Sequence, residues 1–537
     1  MSKKTGVNVG KLKIEKNIEG ARIDKVLISI SIFFVILLVG LLYTNPEASQ
    51  EIANIIFGKM TNWFGSFTLI FTFSGFVILV GVALSKYGNI KLGDHAPEHS
   101  TFKWVAMMIS CGLGSATIYW AFIEWAYYIG TPGLGIEANS IRAFEMALPY
   151  NMFHWGFSAW TLYALVGLPM CYHFYVRKNE GLSLSSIISK ITGIKKDGII
   201  ATIINVMFIF ICFGGLSITL GVSVPLVSQV LCAVVGITPT FSMNVALILL
   251  ISIVYSLSSY IGIEKGMARI SDWNGKLAIF FLLAIIVLGP SLFIINNTTN
   301  SLGLMLQNFV GMSLFTDSIG QTGFPQSWTI FYWLYWITYA PFTGIFIAKV
   351  SKGRTIRSVI INTLVSGSIG CFAFFGVIGS LSIDRQMKGL VDMTGLLGAG
   401  KDTFAIIEVM KTLPLGSIFM MMFSIIAVLF LATTLDGAAF TMASTATPGL
   451  KSNENPHPIH RLFWCVLLAL VPLVMIFIGA NLNTIKTAAI ITGVPIIFLM
   501  IIMVYGWIKW MVKDYQVHTE KENNYILIDN EKEGNHE

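Results

Sequence analysis

Twelve residues, Trp328-Thr-Ile-Phe-Tyr-Trp-Leu-Tyr-Trp-Ile-Thr-Tyr339, carry seven large aromatic rings. They lie in an apolar stretch long enough to span a membrane as a helix, where Leu and Ile would satisfy lipid without a polar handle. Aromatic belts belong at the two membrane interfaces, not along a span. A crowd of π-faces at mid-depth can surround a cation that offers no hydrogen-bond donor, such as a quaternary ammonium. A helix interface packed with rings accounts for the segment equally well.

Further residues able to do chemistry occur upstream and downstream. His154-Trp155-Gly-Phe-Ser-Ala-Trp160-Thr-Leu-Tyr163 adds more rings, Trp155, Trp160 and Tyr163 among them. On one continuous helix, Trp155, Tyr163 and Trp160 would spread over an arc of about 140°, enough for one wall of a pocket. Glu124-Trp125-Ala-Tyr127-Tyr128 lies near a helix end, where rings are more often interfacial anchors. The adjacent Thr433 and Thr434 sit in an apolar run. Such hydroxyls usually bond back to the preceding turn, yet with freed backbone carbonyls they suit a hard cation such as sodium. Glu124 and Asp436 are acids inside apolar runs, which makes them functional candidates or structural hydrogen-bond partners.

Positioning such groups requires polar backbone at mid-membrane, and an interrupted helix supplies it. Paired glycines interrupt Ser110-Cys-Gly112-Leu-Gly114-Ser115, and Pro341 follows the ring cluster directly. Amides freed around Gly112, Gly114 and Ser115 would receive a substrate carboxylate. Pro341 lacks a donor and disfavours helical geometry at Ala340. The two interruptions lie five spans apart, the pattern of a five-helix inverted repeat.

The chain has 537 residues, 55% hydrophobic and 12% charged, with a mean hydropathy of +0.74. A soluble chain carries roughly twice that charge fraction. Apolar blocks predict about twelve transmembrane helices, near 26–45, 63–85, 103–130, 148–175, 199–233, 242–260, 268–296, 328–350, 355–382, 415–445, 459–480 and 484–512. The fold class is therefore an all-α polytopic membrane protein. Lys3, Lys4, Lys11, Lys13, Lys16, Arg22 and Lys25 mark the N-terminal segment as cytoplasmic. With twelve crossings the C-terminus is also inside, and Arg177, Lys178, Lys195, Lys196, Lys349, Lys352, Arg354 and Arg357 fall in inner loops. The outer loop with Arg385, Lys388, Lys401 and Lys411 goes against this bias.

This asymmetry largely explains the net charge of +7 without nucleic acid. The first apolar run ends without a small-residue cleavage site. Cys111, Cys171, Cys212, Cys232, Cys371 and Cys465 show no CxxC pairing and read as buried free thiols. No GxxxxGKS loop appears, so ATP is not the direct driving force. No nucleophile–base pair or metal cluster falls within the spans, which argues against an enzyme.

Phe324-Pro-Gln-Ser-Trp-Thr-Ile-Phe-Tyr-Trp333, followed by Ala348-Lys-Val-Ser-Lys-Gly-Arg-Thr-Ile-Arg357, resembles the signature of the betaine/carnitine/choline transporter family. Phe153-His-Trp-Gly156 and Tyr128-Ile-Gly-Thr-Pro132 resemble it too, and the likeness around Glu124 to Asn151 points to its carnitine-exchanger branch. The resemblance implies a LeuT-like core, spans 3–7 mirrored by spans 8–12 after two extra N-terminal helices, usually as a homotrimer in the cell membrane. It implies segments 1–25 (cytoplasmic), 26–100 (extra helices), 101–300 (first repeat), 301–327 (amphipathic connector), 328–512 (second repeat) and 513–537 (polar cytoplasmic tail).

The resemblance also implies a box for trimethylammonium groups made of Tyr127, Trp155, Trp160, Tyr163, Tyr335, Trp336 and Tyr339. Where the family usually has Trp-Trp, this chain has Tyr335-Trp336, a change that adds a hydroxyl. The sodium-independent exchangers hold an Arg in span seven and a Met in span eight; here Asn274 and Thr343 stand at those positions. Thr433 and Thr434 match the pair that ligates sodium in ion-coupled members, and Ser217 with Thr219 match a second ion site.

Together these features predict a secondary transporter importing a quaternary ammonium compound by sodium-coupled symport, with no cofactor beyond the coupling ion. The alternatives are a sodium-independent exchanger of the same family and, in another class, a membrane-embedded betaine sensor. The nearly charge-balanced tail, without the long basic extension of osmosensing relatives, predicts nutrient uptake rather than osmotic rescue.

Overall fold

The structure, a computed structural model, describes residues 23–112, 114–261, 266, 268–450, 454–477, 487 and 493–516. The basic stretch before residue 23 and the polar tail after residue 516 lie outside the described residues. Among the described residues every regular element is helical, and a single antiparallel bridge joins Lys91 to Thr355.

The chain opens with α1 (Lys25–Thr44) and α2 (Pro46–Leu84). A first group follows: α3 (Thr101–Gly112), α4 (Ser115–Gly130), α5 (Ile141–Trp155), α6 (Phe157–Cys171), α7 (Leu184–Thr192), α8 (Ile199–Val235), α9 (Phe241–Ile261) and α10 (Ala268–Leu288). A connecting helix α11 (Ser291–Ser313) leads to α12 (Pro325–Val350) and α13 (Ile356–Met387). Short helices α14 (Met393–Gly398) and α15 (Asp402–Lys411) precede α16 (Gly416–Thr445), α17 (Pro458–Phe477) and α18 (Gly493–Gln516).

Among the described residues seven helices are long and apolar enough to cross a bilayer unaided, and α1, α8 and α17 contain shorter apolar segments. The third and fourth spans are each divided into two helices, which is why length alone misses them. All twelve apolar stretches thus hold a helix or a consecutive pair. The chain is a multi-pass, all-α membrane protein.

Three boundaries differ from the sequence reading. Span seven ends at Leu288, because Gly289 and Pro290 separate it from α11; Pro290 has no N–H to continue the ladder. The connector is therefore a helix from Ser291 to Ser313 and a loop, rather than 301–327. The expected interruption at Pro341 is absent, and α12 runs unbroken through it. A proline costs its own helix one donor, and close packing in a helical bundle tolerates the loss.

The interruption at Gly112 to Gly114 is present, with α4 starting at Ser115. An unforeseen one occurs at Gly156 (φ −100°, ψ −138°) between α5 and α6. A Cβ there would lie 2.5 Å from the Met152 carbonyl oxygen and 2.7 Å from the Phe372 ring, so only glycine fits.

No pair of helices packs more extensively than α6 and α12. In lipid such contacts rest on van der Waals fit between small residues. A Cβ on Gly344 would meet Val166 at 2.6 Å and the backbone nitrogen of Gly167 at 3.0 Å. The two backbones therefore pass each other almost directly, which brings the rings of both helices together.

The loop between α12 and α13 is fixed by its arginines. Arg357 donates to the Ala83 and Ser85 carbonyls at 2.6 and 3.1 Å, closing the end of α2. Arg354 donates to His99 O and Thr101 Oγ1 and lies 4.4 Å from the centre of the Trp104 ring. Residues counted as topology markers thus also anchor the start of span three.

Candidate functional site

Trp336 is the hub of a buried aromatic set. Its ring meets Trp155 at 4.9 Å and Tyr163 at 5.7 Å, with interplanar angles of 86° and 85°. Trp160 meets Tyr163 at 5.6 Å and 84°. Nearly perpendicular rings are the favoured edge-to-face arrangement, and they also form the walls of a box. Tyr335 lies 5.6 Å from Trp336 and 5.0 Å from Tyr339. Six of the seven expected box residues are thereby brought together. The single 140° arc is replaced by two helices, since Trp155 ends α5 and Trp160 and Tyr163 belong to α6.

Tyr127 stands apart from this set. Its ring neighbours are Trp120 at 6.3 Å and Trp328 at 5.6 Å, and its hydroxyl donates to Asp402 at the start of α15. It reaches the inner set through Trp328 and Tyr332, which meets Trp155 and Phe331.

The polar ends of the inner rings are held by backbone and by one buried acid. Trp336 Nε1 donates to the His154 carbonyl at 2.9 Å, which the Gly156 interruption frees from regular helix pairing. Glu124 is fully buried and accepts from Trp155 Nε1 at 2.9 Å, from Tyr332 at 2.6 Å and from Tyr128. The Tyr128 hydroxyl also meets His154 Nδ1 at 2.8 Å, while His154 Nε2 lies 2.9 Å from Thr329 Oγ1. Three donors make this carboxylate satisfied rather than stranded, the condition under which a buried acid is tolerated. Glu124 therefore fixes the Trp155 and Tyr332 rings. The sequence reading quoted the segments that hold His154, Thr329 and Tyr332 but gave these three no part in fixing the rings; His154 in an apolar run was the available signal.

At the interruption of span three, the Gly114 N–H donates to Thr117 Oγ1 and Gly114 O accepts from Thr117 N. Ser115 Oγ lies 2.7 Å from Ser223 Oγ on α8. A Cβ on Gly114 would be 3.9 Å from Thr434 Oγ1, so the broken helix and the threonine pair are neighbours. Thr433 Oγ1 donates to the Leu429 and Phe430 carbonyls, and Thr434 Oγ1 donates to Phe430 O at 2.9 Å. Spending the proton on the preceding turn leaves each oxygen with lone pairs for a cation.

Asn274 and Thr343 are both buried. Asp436 accepts from Ser258 at 2.6 Å, a structural bond between α16 and α9. Thr219 differs from expectation: its hydroxyl contacts Tyr335 OH at 3.2 Å and also Tyr339 OH. Through these two phenols it joins the ring set. The Ser217 and Cys111 side chains lie outside the described residues. The other five cysteines are free and buried, and no group of metal-binding side chains occurs among the described residues.

Broken helices around perpendicular rings at the heart of a multi-pass bundle are an arrangement suited to carrying a solute. Residues 26–516 match the betaine/carnitine/choline family transporter profile, and the chain belongs to that family of secondary transporters for quaternary ammonium compounds. It is 41% identical over 492 residues to a carnitine transporter of Acinetobacter baumannii, covering 92% of this chain and 90% of that one. It is 42% identical over 438 residues to the uncharacterized transporter YeaV of Escherichia coli K12, covering 82% and 91%. A solved Na+-coupled sialic acid symporter shares 14% identity over 82% of this chain and 86% of that one, with a TM-score of 0.34, too distant to inform the site.

Proposed function

We propose that this chain imports a trimethylammonium compound of the betaine or carnitine type by sodium-coupled symport. One observation carries the reading: Trp155, Tyr163 and Trp336 meet at right angles at the tightly packed α6–α12 crossing. A methylated nitrogen has no donor for a carboxylate, so ring faces are its natural partners, at roughly 0.5–2 kcal/mol each. The likeness to a carnitine transporter over nearly the whole chain supports the same substrate class. The substrate carboxylate is assigned to the amides at the start of α4, beside Ser115.

Sodium is assigned to Thr433 and Thr434 with carbonyls freed around Gly112 and Gly114. The support is the closeness of Gly114 to Thr434 and the absence of an Arg at Asn274 or a Met at Thr343. The Ser217–Thr219 ion site is not carried forward. Each sodium entering with the membrane potential contributes about 2.3 kcal/mol per 100 mV. Access alternates as spans three, four, eight and nine of a LeuT-like inverted repeat rock against the remaining helices. We assign it to the cell membrane as a homotrimer with both termini cytoplasmic.

Uptake of labelled carnitine and glycine betaine into proteoliposomes, with and without an inward sodium gradient, tests the proposal. Accumulation that requires the gradient is the expected result. Uptake indifferent to sodium but dependent on internal substrate would establish the exchanger instead.

A further inference from the structure

The loop whose basic residues run against the charge bias forms a hairpin of α14 and α15, and Arg385, 9% exposed, closes its base. Arg385 Nε donates to Thr412 Oγ1 at 2.7 Å, just after α15. The Arg385 carbonyl accepts from Leu390 N at 2.9 Å and Val391 N at 3.3 Å, on the way into α14. Asp384 balances the guanidinium, accepting from Arg385 Nη1 at 2.6 Å and pairing with Lys388 at 2.8 Å. Gln386 Oε1 takes the Met393 and Thr394 amides at 2.6 and 3.2 Å, and Lys411 pairs with Glu408 at 2.8 Å. One arginine thus ties the chain entering the hairpin to the chain leaving it. Arg385, Lys388 and Lys411 are engaged inside this unit, which accounts for their place in an outer loop.

The hairpin is seated on the bundle. Met393, Leu397, Ala405, Ile406 and Met410 are buried, with α14 packed on α4 and α15 packed on α4, α8 and α16. Across this apolar seam Asp402 accepts from the Tyr127 hydroxyl. A carboxylate acceptor makes such a bond stronger than one between neutral groups. The Tyr127 ring meets Trp328 at 5.6 Å, and Trp328 leads through Tyr332 at 6.3 Å to Trp155, 5.7 Å further on. The hairpin therefore covers a column of rings that ends at the box.

We propose that residues 386–411 are a lid on the outer entrance, hinged at Arg385 and Thr412 and latched by Tyr127 on Asp402. The inference rests on the ring box as the solute site and on the proposed topology. A single helix, α4, runs from Ser115 to Gly130 and joins the two places. Ser115 starts it at the amides assigned to the substrate, and Tyr127 lies about 18 Å further along. Trp155 of the box is bonded to Glu124 on the same helix. A solute held by Trp155 and by the start of α4 sets the tilt of that helix, and the tilt carries Tyr127 to Asp402. Closing follows loading. The Tyr127 phenol is then a positioning group of the gate, not a wall of the ammonium box as the family resemblance implies.

Hydrogen exchange of α14 and α15, on the full chain in nanodiscs, reads the latch. Tyr127→Phe keeps the ring and removes the hydroxyl, while Asp402→Asn keeps the shape and removes the charge. Each should speed that exchange about three- to tenfold, and the double variant should go no further than either alone. In proteoliposomes each should lower kcat for carnitine by about threefold or more, with affinity by tryptophan quenching held within about twofold. Exchange of α6 and α12 in the same samples identifies a variant that has not folded, and the other single variant then decides. Wild-type exchange in both single variants, or additive effects in the double variant, overturns the lid. So does an Asp402→Asn that behaves as wild type while Tyr127→Ala loses affinity, the pattern of a box wall. The exchange comparison needs no solute. It therefore judges the lid separately from a wild type that carries no trimethylammonium compound, a result that would overturn the substrate reading.

Discussion

Spans three and four and spans eight and nine meet at the same site but bend by different means. The first pair is cut by glycine, at Gly112 to Gly114 and at Gly156. The second pair is continuous, and α12 and α13 contain wide turns at Pro325–Ile330, Asn362–Ser366 and Phe375–Gly379, of the kind that also follows α6 at Tyr172–Val176. A cut frees backbone carbonyls and amides for a solute, whereas a wide turn shifts side-chain register while keeping the ladder paired. The cut pair therefore supplies main-chain polarity together with Trp155, Trp160 and Tyr163, and the uncut α12 supplies Tyr335, Trp336 and Tyr339.

The sharpest way to break this contrast is to fill a cut. Gly156→Ala would press a methyl group against the Met152 carbonyl and the Phe372 ring. Overpacking of this kind costs about 1–3 kcal/mol. It should reduce uptake more than tenfold and disturb the Trp336 bond to the His154 carbonyl, visible as altered tryptophan fluorescence. Trp336→Ala removes the ring that both α5 and α6 face. Substrate-induced quenching should disappear, a loss of at least tenfold in affinity, while Trp336→Phe should keep part of the response.

Thr434→Ala probes the cut of span three from its opposite wall. If the neighbouring carbonyls hold the coupling ion, the sodium concentration for half-maximal uptake should rise about tenfold, or roughly 1.4 kcal/mol, with little change in substrate binding at saturating sodium. An unchanged sodium dependence would make both threonines purely structural. The smallest effect is expected at Pro341→Ala. Because α12 passes through this residue without interruption, uptake should stay within about twofold of wild type. A severe loss would reveal a functional bend at that point.

Much of the architecture was legible because lipid imposes it. Twelve apolar stretches announce themselves, and two glycines in one apolar run are hard to reconcile with an intact helix. Gly156 was hidden because a lone glycine among aromatic residues reads as close packing; the Met152 carbonyl and the Phe372 ring, far away in sequence, reveal its purpose. Pro341 misled in the other direction, since a missing donor matters only when the surroundings cannot absorb it. Tyr127 was placed in the inner set because resemblance transfers a residue's identity without its depth; its bond to Asp402 shows the difference. Thr219 was read as an ion ligand because a hydroxyl on a helix carries no mark of the partner it will meet. The six remaining rings were named through the family resemblance, since types and spacing left a ring-packed helix interface equally open; the structure gathers the six into one cluster.

The close passage of Gly344 over Gly167 has a mechanical consequence. Side chains between helices act as bearings, letting one slide or roll against the other. Here the main chains come close, with Val166 and Ile347 filling the rest of the contact, and that freedom is small. A tilt of α6 would be handed to α12, so the ring-bearing pair is expected to travel as a single lever, with hinging left to the glycine cuts on either side.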